Sequence, residues 1–271
     1  MTDAIDRIAA ALERIAPPQP PQADPMAHAA YVWRGGGLAP ARAFTPVAID
    51  LLTGIDAQKA AVLATLERLA AGAAAHDVLL WGARGTGKSA LVKSAVAAVQ
   101  ASGAALALIE VAGDRLAELS ALFALIADAP RAYAIFLDDL GFEEGGAGPR
   151  LLRSMLEGGA EARPANARLF VTANRRHIVP RDMREQDSAI NPRDTTDDKL
   201  ALADRFGLSL GFHVCDQDAY LAIVRGYTER LGLPFDPQEA ITWSTQRGAR
   251  SGRIAWHYVT ELAGRAGRAL G

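Results

Sequence analysis

The sequence has little of several features that would place it in a specialised class of protein. Its single cysteine, Cys215, excludes a disulfide within the chain and is consistent with a reducing compartment. Acidic and basic residues nearly cancel at a formal net charge of −2, so there is no global positive field to attract nucleic acid. No apolar run approaches the roughly 20 residues of a membrane span, and acids at Asp3, Asp6 and Glu13 interrupt any signal-peptide pattern. We therefore expect a soluble, cytoplasmic protein.

The residues that are present suffice for a large α/β core. Half of the 271 residues are hydrophobic, and short, continuously apolar segments alternate with helical patterns. This alternation is typical of a parallel sheet covered by helices on both faces. Asp56 is predicted to cap a helix that ends at Gly72, and Asp114 to cap one that runs to Ile126. The predicted strands are Val78–Trp81, Ala104–Val111, Tyr133–Leu137, Arg168–Thr172 and Leu208–Val214.

One segment between a predicted strand and a predicted helix matches the pattern G-x-x-x-x-G-K-[ST]. Its glycines let the backbone curl so that successive N–H groups point inward, and the following helix adds its positive N-terminal dipole. Lys88 is expected to reach the β- and γ-phosphates of ATP, and the Ser89 hydroxyl to ligate Mg²⁺. The predicted nucleotide contacts are Gly82, Ala83, Arg84, Gly85, Thr86, Gly87, Lys88, Ser89 and Ala90.

Two acids follow the third predicted strand directly. Parallel strands bring their carboxyl ends to one edge of the sheet, where open α/β sheets bind ligands. Asp138 is the predicted metal ligand beside Ser89, and Asp139 is the predicted residue that orients or activates the attacking water. The simpler alternative is that the acids cap the next helix.

The ends of the chain are predicted to lie outside the α/β domain, which we assign to residues 46–215. Residues 1–45 are expected to form an amphipathic helix (Met1–Ala16), a proline-rich linker and a loop (Tyr31–Phe44). Trp33 in this loop either stacks on the adenine ring or docks on the core. Residues 216–271 are expected to form a helical lid domain with helices at Asp218–Leu231, Pro237–Gln246 and Gly252–Ala269.

Several segments resemble the AAA+ superfamily of ATPases, and in particular a bacterial family of predicted AAA+ ATPases with no characterised cellular role. They include LLWGARGTGKSALVK, FLDDLGFEE, TANRRH, LADRFGL and GARSGRIA. The acidic pair followed by Leu-Gly also resembles helicase loaders and transposition helpers. The resemblance implies a three-layer P-loop fold with a parallel five-stranded sheet and a C-terminal helical lid.

The resemblance also implies roles for three residues. Asn174 matches the polar sensor that bonds the γ-phosphate or the water, although an Asx-turn would explain it too. Arg205 matches the arginine finger that completes a neighbouring subunit's site, with a surface salt bridge as the alternative. Arg253 matches the lid sensor, with Arg250 as the other candidate.

Other features keep alternatives open. Most members carry Asp-Glu where this chain has Asp138-Asp139, which implies slow or partner-stimulated hydrolysis, and Glu143 is a substitute candidate for the base. The charged segment 175–198 is either a loop that orders on binding or a plain exposed loop. Arginines in the lid, from Arg247 to Arg268, would suit a nucleic-acid backbone or subunit contacts.

The predicted function is hydrolysis of Mg-ATP by a homo-oligomeric ring or spiral, with the arginine finger acting in trans, to remodel or load an unidentified protein partner. A nucleotide-gated adaptor with little hydrolysis and a small-molecule kinase are the alternatives. Nucleic-acid binding is not favoured and a membrane partner is not expected.

Overall fold

The structure is a computed structural model that describes residues 22–141, 147–156, 163–174 and 205–270, together with Ala4, Ile5 and Arg7. Most of the predicted N-terminal helix and linker lie outside these residues, as do the segment 175–198 and Glu143. Within them, helices cover both faces of a central sheet. No helix among the described residues is long and apolar enough to cross a bilayer.

Among the described residues the sheet has seven strands in the order β2-β1-β4-β5-β6-β3-β7, and all neighbours are parallel except β1 and β2. The five predicted strands are present, so the expectation of five strands was short by two. The strands are β1 Ala30–Arg34, β2 Gly37–Pro40, β3 Val78–Gly82, β4 Leu106–Val111, β5 Ala132–Leu137, β6 Ala167–Asn174 and β7 Leu208–Phe212.

The two additional strands form a hairpin, which corrects the prediction of a loop over Tyr31–Phe44. Gly35 and Gly36 turn the chain with φ of 59° and 77°, a conformation that glycine adopts at little cost, and β1 then pairs with β4. The Trp33 side chain is 2% exposed in the core, and its indole N–H donates to Glu118 Oε2 at 2.6 Å. Trp33 therefore docks on the core, and the alternative of an adenine stack is wrong.

Alternation along the strands explains the layers. Leu79, Ile135 and Val171 face one side of the sheet, while Leu80 and Phe136 face the other, and all five are buried. The sequences of β3 and β5 are thus continuously apolar because both faces of these strands are covered. On the first face lie α3 (Leu119–Ile126) and α4 (Ala147–Leu156), and on the second lie α1 (Asp56–Ala70) and α2 (Lys88–Ala101).

Two predicted helix caps are wrong. Asp56 is the first residue of α1 rather than its cap, because Ile55 occupies the cap position, and the Asp56 carboxylate pairs with Lys59 Nζ at 2.7 Å. Asp114 lies inside a 3₁₀ turn, Gly113–Glu118, which precedes α3 and makes no side-chain cap. As predicted, the chain leaves α1 at Gly72. The φ of Gly72 is 70°, which is typical of a glycine that follows a helix.

Three C-terminal helices, called the lid helices below, have a core of their own. They are α5 (Gln217–Leu231), α6 (Pro237–Gln246) and α7 (Gly252–Arg265). Asp216, Asp236 and Ser251 cap them through side-chain oxygens that accept backbone N–H groups. Tyr220, Val224 and Tyr258 lie at the centre of their core, and Val47 and Leu51, which precede α1, pack against it.

Candidate nucleotide-binding site

A cavity of about 810 Å³ lies between the carboxyl edge of the sheet and the lid helices. This is the edge at which ligands of open parallel sheets bind. Its polar side is lined by the loop between β3 and α2 and by the residues that follow β5 and end β6. Among the lining residues are Arg84, Gly85, Thr86, Gly87, Lys88, Ser89, Asp138, Asp139, Thr172, Asn174 and Arg253.

The phosphate-binding loop curls through three glycines with positive φ: Gly82, Gly85 and Gly87. At Gly82 the requirement is also spatial, because an added Cβ would lie 2.1 Å from the carbonyl oxygen of Phe212 on β7. At Gly85 an added Cβ would lie 2.8 Å from Ser251 Oγ, so the loop packs directly against the cap of α7. Helix α2 begins at Lys88 and aims its N-terminus into the cavity mouth, a favourable arrangement for an anion.

The Lys88 ammonium group lies within this loop. Its Nζ donates to the carbonyl oxygens of Gly82 at 3.0 Å and Ala83 at 2.7 Å, and the residue is 7% exposed. Burial lowers the pKa of Lys88, while the nearby carboxylates of Asp139 and Asp138 act in the opposite direction. Phosphate groups bound in the loop would stabilise the charged form of this buried lysine.

Ser89 and Asp138 form the pair that fits a divalent metal. The Ser89 hydroxyl donates to Asp138 Oδ1 at 2.6 Å, so a hydroxyl and a carboxylate meet at the foot of the loop. Mg²⁺ prefers such oxygen ligands and completes its shell with phosphates and water. The described residues contain no group of three or more His, Cys, Asp or Glu that would hold a metal alone. The donor set therefore fits Mg²⁺ that arrives with a phosphate ligand.

Asp139 and Asn174 are brought together as the sequence suggests. Asn174 Nδ2 donates to Asp139 Oδ1 at 2.5 Å, and an Arg84 guanidinium nitrogen lies 3.7 Å from Asp139 Oδ2. Asp139 has a φ of 50°, the left-handed region that a non-glycine residue seldom adopts, and its N–H donates to Thr172 Oγ1 at 2.8 Å. The second acid is thus held beside the loop from its backbone and its side chain.

The three candidate arginines lie in different places. Arg253 lines the cavity, and its Cβ is 3.5 Å from the position of a Cβ on Gly85. Arg250 is not among the lining residues, and its buried Nε has no hydrogen-bond partner among the described residues. Arg205 precedes β7 at the opposite edge of the sheet, where the strands begin. Arg253 is therefore the lid arginine with access to this site, and Arg205 lies away from it.

Sequence reasoning missed the apolar wall of the cavity. It is formed by residues that precede α1 and by two lid helices, among them Val47, Leu51, Ile55, Ile223, Tyr227 and Trp256. The rings of Tyr227 and Trp256 meet edge to face with centroids 5.1 Å apart. The helical period of the lid residues predicts burial, but it does not distinguish packing within the lid from lining a cavity.

The parallel sheet, the phosphate-binding loop, the acids after β5 and the helical lid together define the fold of the AAA+ P-loop ATPases. Over 82% of this chain and 67% of that chain, the structure is similar to the Holliday junction branch migration motor RuvB of Thermotoga maritima, with a TM-score of 0.52 and 18% identity. It is also similar to Orc1 of Aeropyrum pernix, solved in complex with DNA, with a TM-score of 0.54 and 16% identity. This match covers 85% of this chain and 68% of the Orc1 chain. At these identities the likeness concerns the fold.

Residues 26–266 match the family described as "protein of unknown function (DUF815)". The chain belongs to this family. No curated protein is significantly similar to it in sequence.

Proposed function

We propose that the protein binds and hydrolyses Mg-ATP and uses the cycle to remodel or load a partner. One observation carries the proposal: a single cavity brings together the phosphate-binding loop, the Ser89–Asp138 pair and the Asp139–Asn174 pair. The first two elements suit a nucleoside triphosphate and its metal, and the third suits the activation of water.

In this proposal the chain binds both ends of the ATP molecule, the triphosphate and the base. The loop amides, the N-terminus of α2 and Lys88 bind the triphosphate, and Ser89 and Asp138 would hold Mg²⁺. When bound, Mg²⁺ would neutralise part of the charge on the phosphates. The apolar wall described above, which includes Leu51 and Trp256, offers a surface for the adenine base. The lid arginine Arg253 approaches the same phosphates from above the loop.

Hydrolysis requires a water aligned with the γ-phosphate. Asp139 accepts a proton from that water, and Asn174 keeps the carboxylate and the water in place through its amide. The carboxylate of Asp139 reaches less far than that of glutamate, and it is already bonded to Asn174 and near Arg84. We therefore expect turnover that is slow until a partner or a neighbouring subunit completes the site.

Arg205 is assigned to a neighbouring subunit's site. It lies at the far edge of the sheet, away from its own cavity, so any contribution to phosphoryl transfer comes from contact between copies. Such a contact is heterologous, and repetition of it closes a ring or extends a spiral.

The experiment compares ATP binding by calorimetry and phosphate release for the parent, Lys88→Ala and Asp139→Asn. Lys88→Ala is expected to lose ATP binding, and Asp139→Asn to keep it while turnover falls by about 100-fold. Lys93→Ala is the control, since Lys93 lies on the same helix but pairs with Glu110. Parent protein that binds neither ATP nor ADP would contradict the proposal.

A second candidate is a nucleotide-gated adaptor in which ATP occupancy, rather than turnover, controls a partner. The short Asp139 side chain and its contacts with Asn174 and Arg84 favour it. Equal, very low phosphate release by the parent and by Asp139→Asn, with intact ATP binding, would select the adaptor. Among the lid arginines, Arg265 is paired with Glu239 and Glu261, which reduces the positive charge that this residue offers to a nucleic acid.

A further inference from the structure

Thr172 is a buried polar residue in the middle of an apolar strand. It lies on β6 between Val171 and Ala173 and is 1% exposed. A buried hydroxyl without hydrogen-bond partners would destabilise the fold. The partners of the Thr172 hydroxyl therefore indicate the role of this residue. Valine has the same shape and favours strands as strongly, so packing and strand propensity alone do not require threonine at this place.

The three residues that follow β5 are all bonded to Thr172. Its hydroxyl donates to Asp138 Oδ1 at 2.7 Å and accepts the Asp139 N–H at 2.8 Å. Its carbonyl oxygen accepts the Leu140 N–H at 2.9 Å. One residue of β6 thus fixes the turn that carries both acids of the site.

These bonds account for the unusual backbone at Asp139. With a φ of 50°, Asp139 is in the left-handed region, which persists for a non-glycine residue when surrounding contacts hold it. The bonds from the N–H groups of Asp139 and Leu140 to Thr172 supply that hold on both sides of the residue. Without the Thr172 hydroxyl, the Asp139 N–H would lose its acceptor and the turn could relax.

The same hydroxyl orients the other acid. Asp138 Oδ1 accepts from Ser89 Oγ and from Thr172 Oγ1, which fixes the rotation of the carboxylate. The two donors to Oδ1 belong to different elements, α2 and β6, and by fixing the carboxylate they also fix the direction of Oδ2. Partners of this kind, one step behind a metal ligand, commonly set the affinity for the metal.

We infer that Thr172 is a positioning residue that aligns Asp138 for the metal and Asp139 for the water through one hydroxyl group. The inference rests on the function proposed above. It explains why the site uses a threonine where the strand itself needs only an apolar residue. It also predicts that both metal response and turnover depend on this hydroxyl.

The test compares Thr172→Val, which removes the hydroxyl with little change of shape, with Thr172→Ser, which keeps it. ADP affinity is measured by calorimetry with Mg²⁺ and with a chelator, and the turnover number with saturating Mg-ATP. For Thr172→Val we expect the Mg²⁺-dependent gain in ADP affinity and the turnover number each to fall about tenfold or more. Affinity in the chelator should match the parent, and Thr172→Ser should restore both properties.

Thr65→Val is the matched control. Thr65 is equally buried, but its hydroxyl donates to the Ala61 carbonyl oxygen within α1, at 2.8 Å. This variant should change neither the Mg²⁺ response nor turnover. Should Thr172→Val fail to fold, Thr172→Ala takes its place in the same comparison.

Two results would overturn the inference. One is a Thr172→Val protein with the parent's Mg²⁺ response and turnover number. The other is a Thr172→Ser protein as impaired as Thr172→Val, because the retained hydroxyl would then restore neither property. Failure of the proposed function is distinct, since the parent itself would then bind no nucleotide or release no phosphate.

Discussion

Asp139 combines a left-handed backbone with an exposed side chain for which we propose a role in hydrolysis. Its φ is 50°, and its carboxylate meets Asn174 and Arg84 at the cavity. Strain of this kind is concentrated at functional sites because neighbouring contacts, rather than the residue's own preference, impose the conformation. Substitutions at this position should therefore separate the backbone requirement from the chemical one.

We predict a graded stability series at position 139. Asp139→Gly and Asp139→Asn should be the most stable variants and Asp139→Val the least, with a spread of about 1–2 kcal/mol in the free energy of unfolding. All three should lose most turnover. Urea unfolding followed by circular dichroism measures the series, and equal stability of the Gly and Val variants would contradict a left-handed backbone at this residue.

Lys88 should make ATP binding depend on pH. Burial lowers its pKa below the ordinary 10.5, and the protonated form is the one that binds phosphate. ATP affinity should therefore fall as pH rises through this lowered pKa, and binding at such a pH should take up a proton. Calorimetry in buffers of different ionisation enthalpy detects the uptake, which Lys88→Arg should abolish. Equal proton uptake by the parent and Lys88→Arg would exclude Lys88 as its source.

At the residue scale, the sequence predicts what is contiguous. The phosphate-binding loop is a run of neighbouring residues, and the cavity contains the predicted Lys88, Ser89, Asp138, Asp139 and Asn174. The sequence analysis missed Thr172 because the partners of its hydroxyl, Asp138 and Asp139, follow a different strand, β5. Only the pairing of β5 with β6 brings the three residues together. A threonine in an apolar strand carries no local sign of such a role.

At the scale of elements, the junction of β3, the loop and β7 leaves no room for a side chain at Gly82. We predict that Gly82→Ala destabilises the protein by about 3 kcal/mol or more, because an added Cβ would lie 2.1 Å from the Phe212 carbonyl oxygen. Gly103→Ala is the control: Gly103 also has a positive φ, but nothing lies within 4 Å of an added Cβ. Its expected loss is about 1 kcal/mol. Similar losses for the two variants, measured by thermal unfolding, would refute the close approach.

Strands and helices differ in how well the sequence predicts their limits. The five predicted strands are all present; β3 to β6 are largely buried and mostly apolar, whereas β7 lies at the edge of the sheet and contains Ser209 and Gly211. The β1–β2 hairpin was not predicted, since three glycines and Pro40 indicated a loop, although two glycines between apolar runs are also typical of a tight hairpin turn. The caps at Asp56 and Asp114 were wrong because capping depends on the exact residue at which helical geometry begins.

For the whole molecule, the position of Arg205 predicts complementation between inactive variants. In the proposed mechanism, Arg205→Ala keeps an intact cavity but lacks the arginine finger, and Lys88→Ala keeps the finger but cannot bind ATP. Mixed in equal amounts, they should regain about a quarter of the parent's phosphate release, because random head-to-tail contacts pair an intact cavity with an intact finger at that frequency.

Each variant alone should be inactive, which is the control for the mixture. A mixture that stays inactive at concentrations where the parent is active would place Arg205 outside phosphoryl transfer. Subunit exchange should be verified by sizing the mixture, since preformed assemblies that do not exchange would mask the effect.

The lid helices follow β7, and their relation to the loop is evident only from the structure. A cluster of arginines within a few residues gave two sensor candidates, Arg250 and Arg253, and sequence spacing did not choose between them. The packing of Gly85 against Ser251 sets the rotation of α7 that brings Arg253 to the cavity. Long-range contacts of this kind have no signature in a single sequence.

The contact between Gly85 and Ser251 has a further consequence for the pace of the cycle. In the proposed cycle, ADP would be held between the sheet and two of the lid helices, so its release would require the lid helices to move away from the loop. The strength of the packing between the lid and the loop, rather than phosphoryl transfer, would then limit the proposed turnover. A partner that separates the lid helices from the loop would then increase the rate of turnover without contacting the reacting atoms.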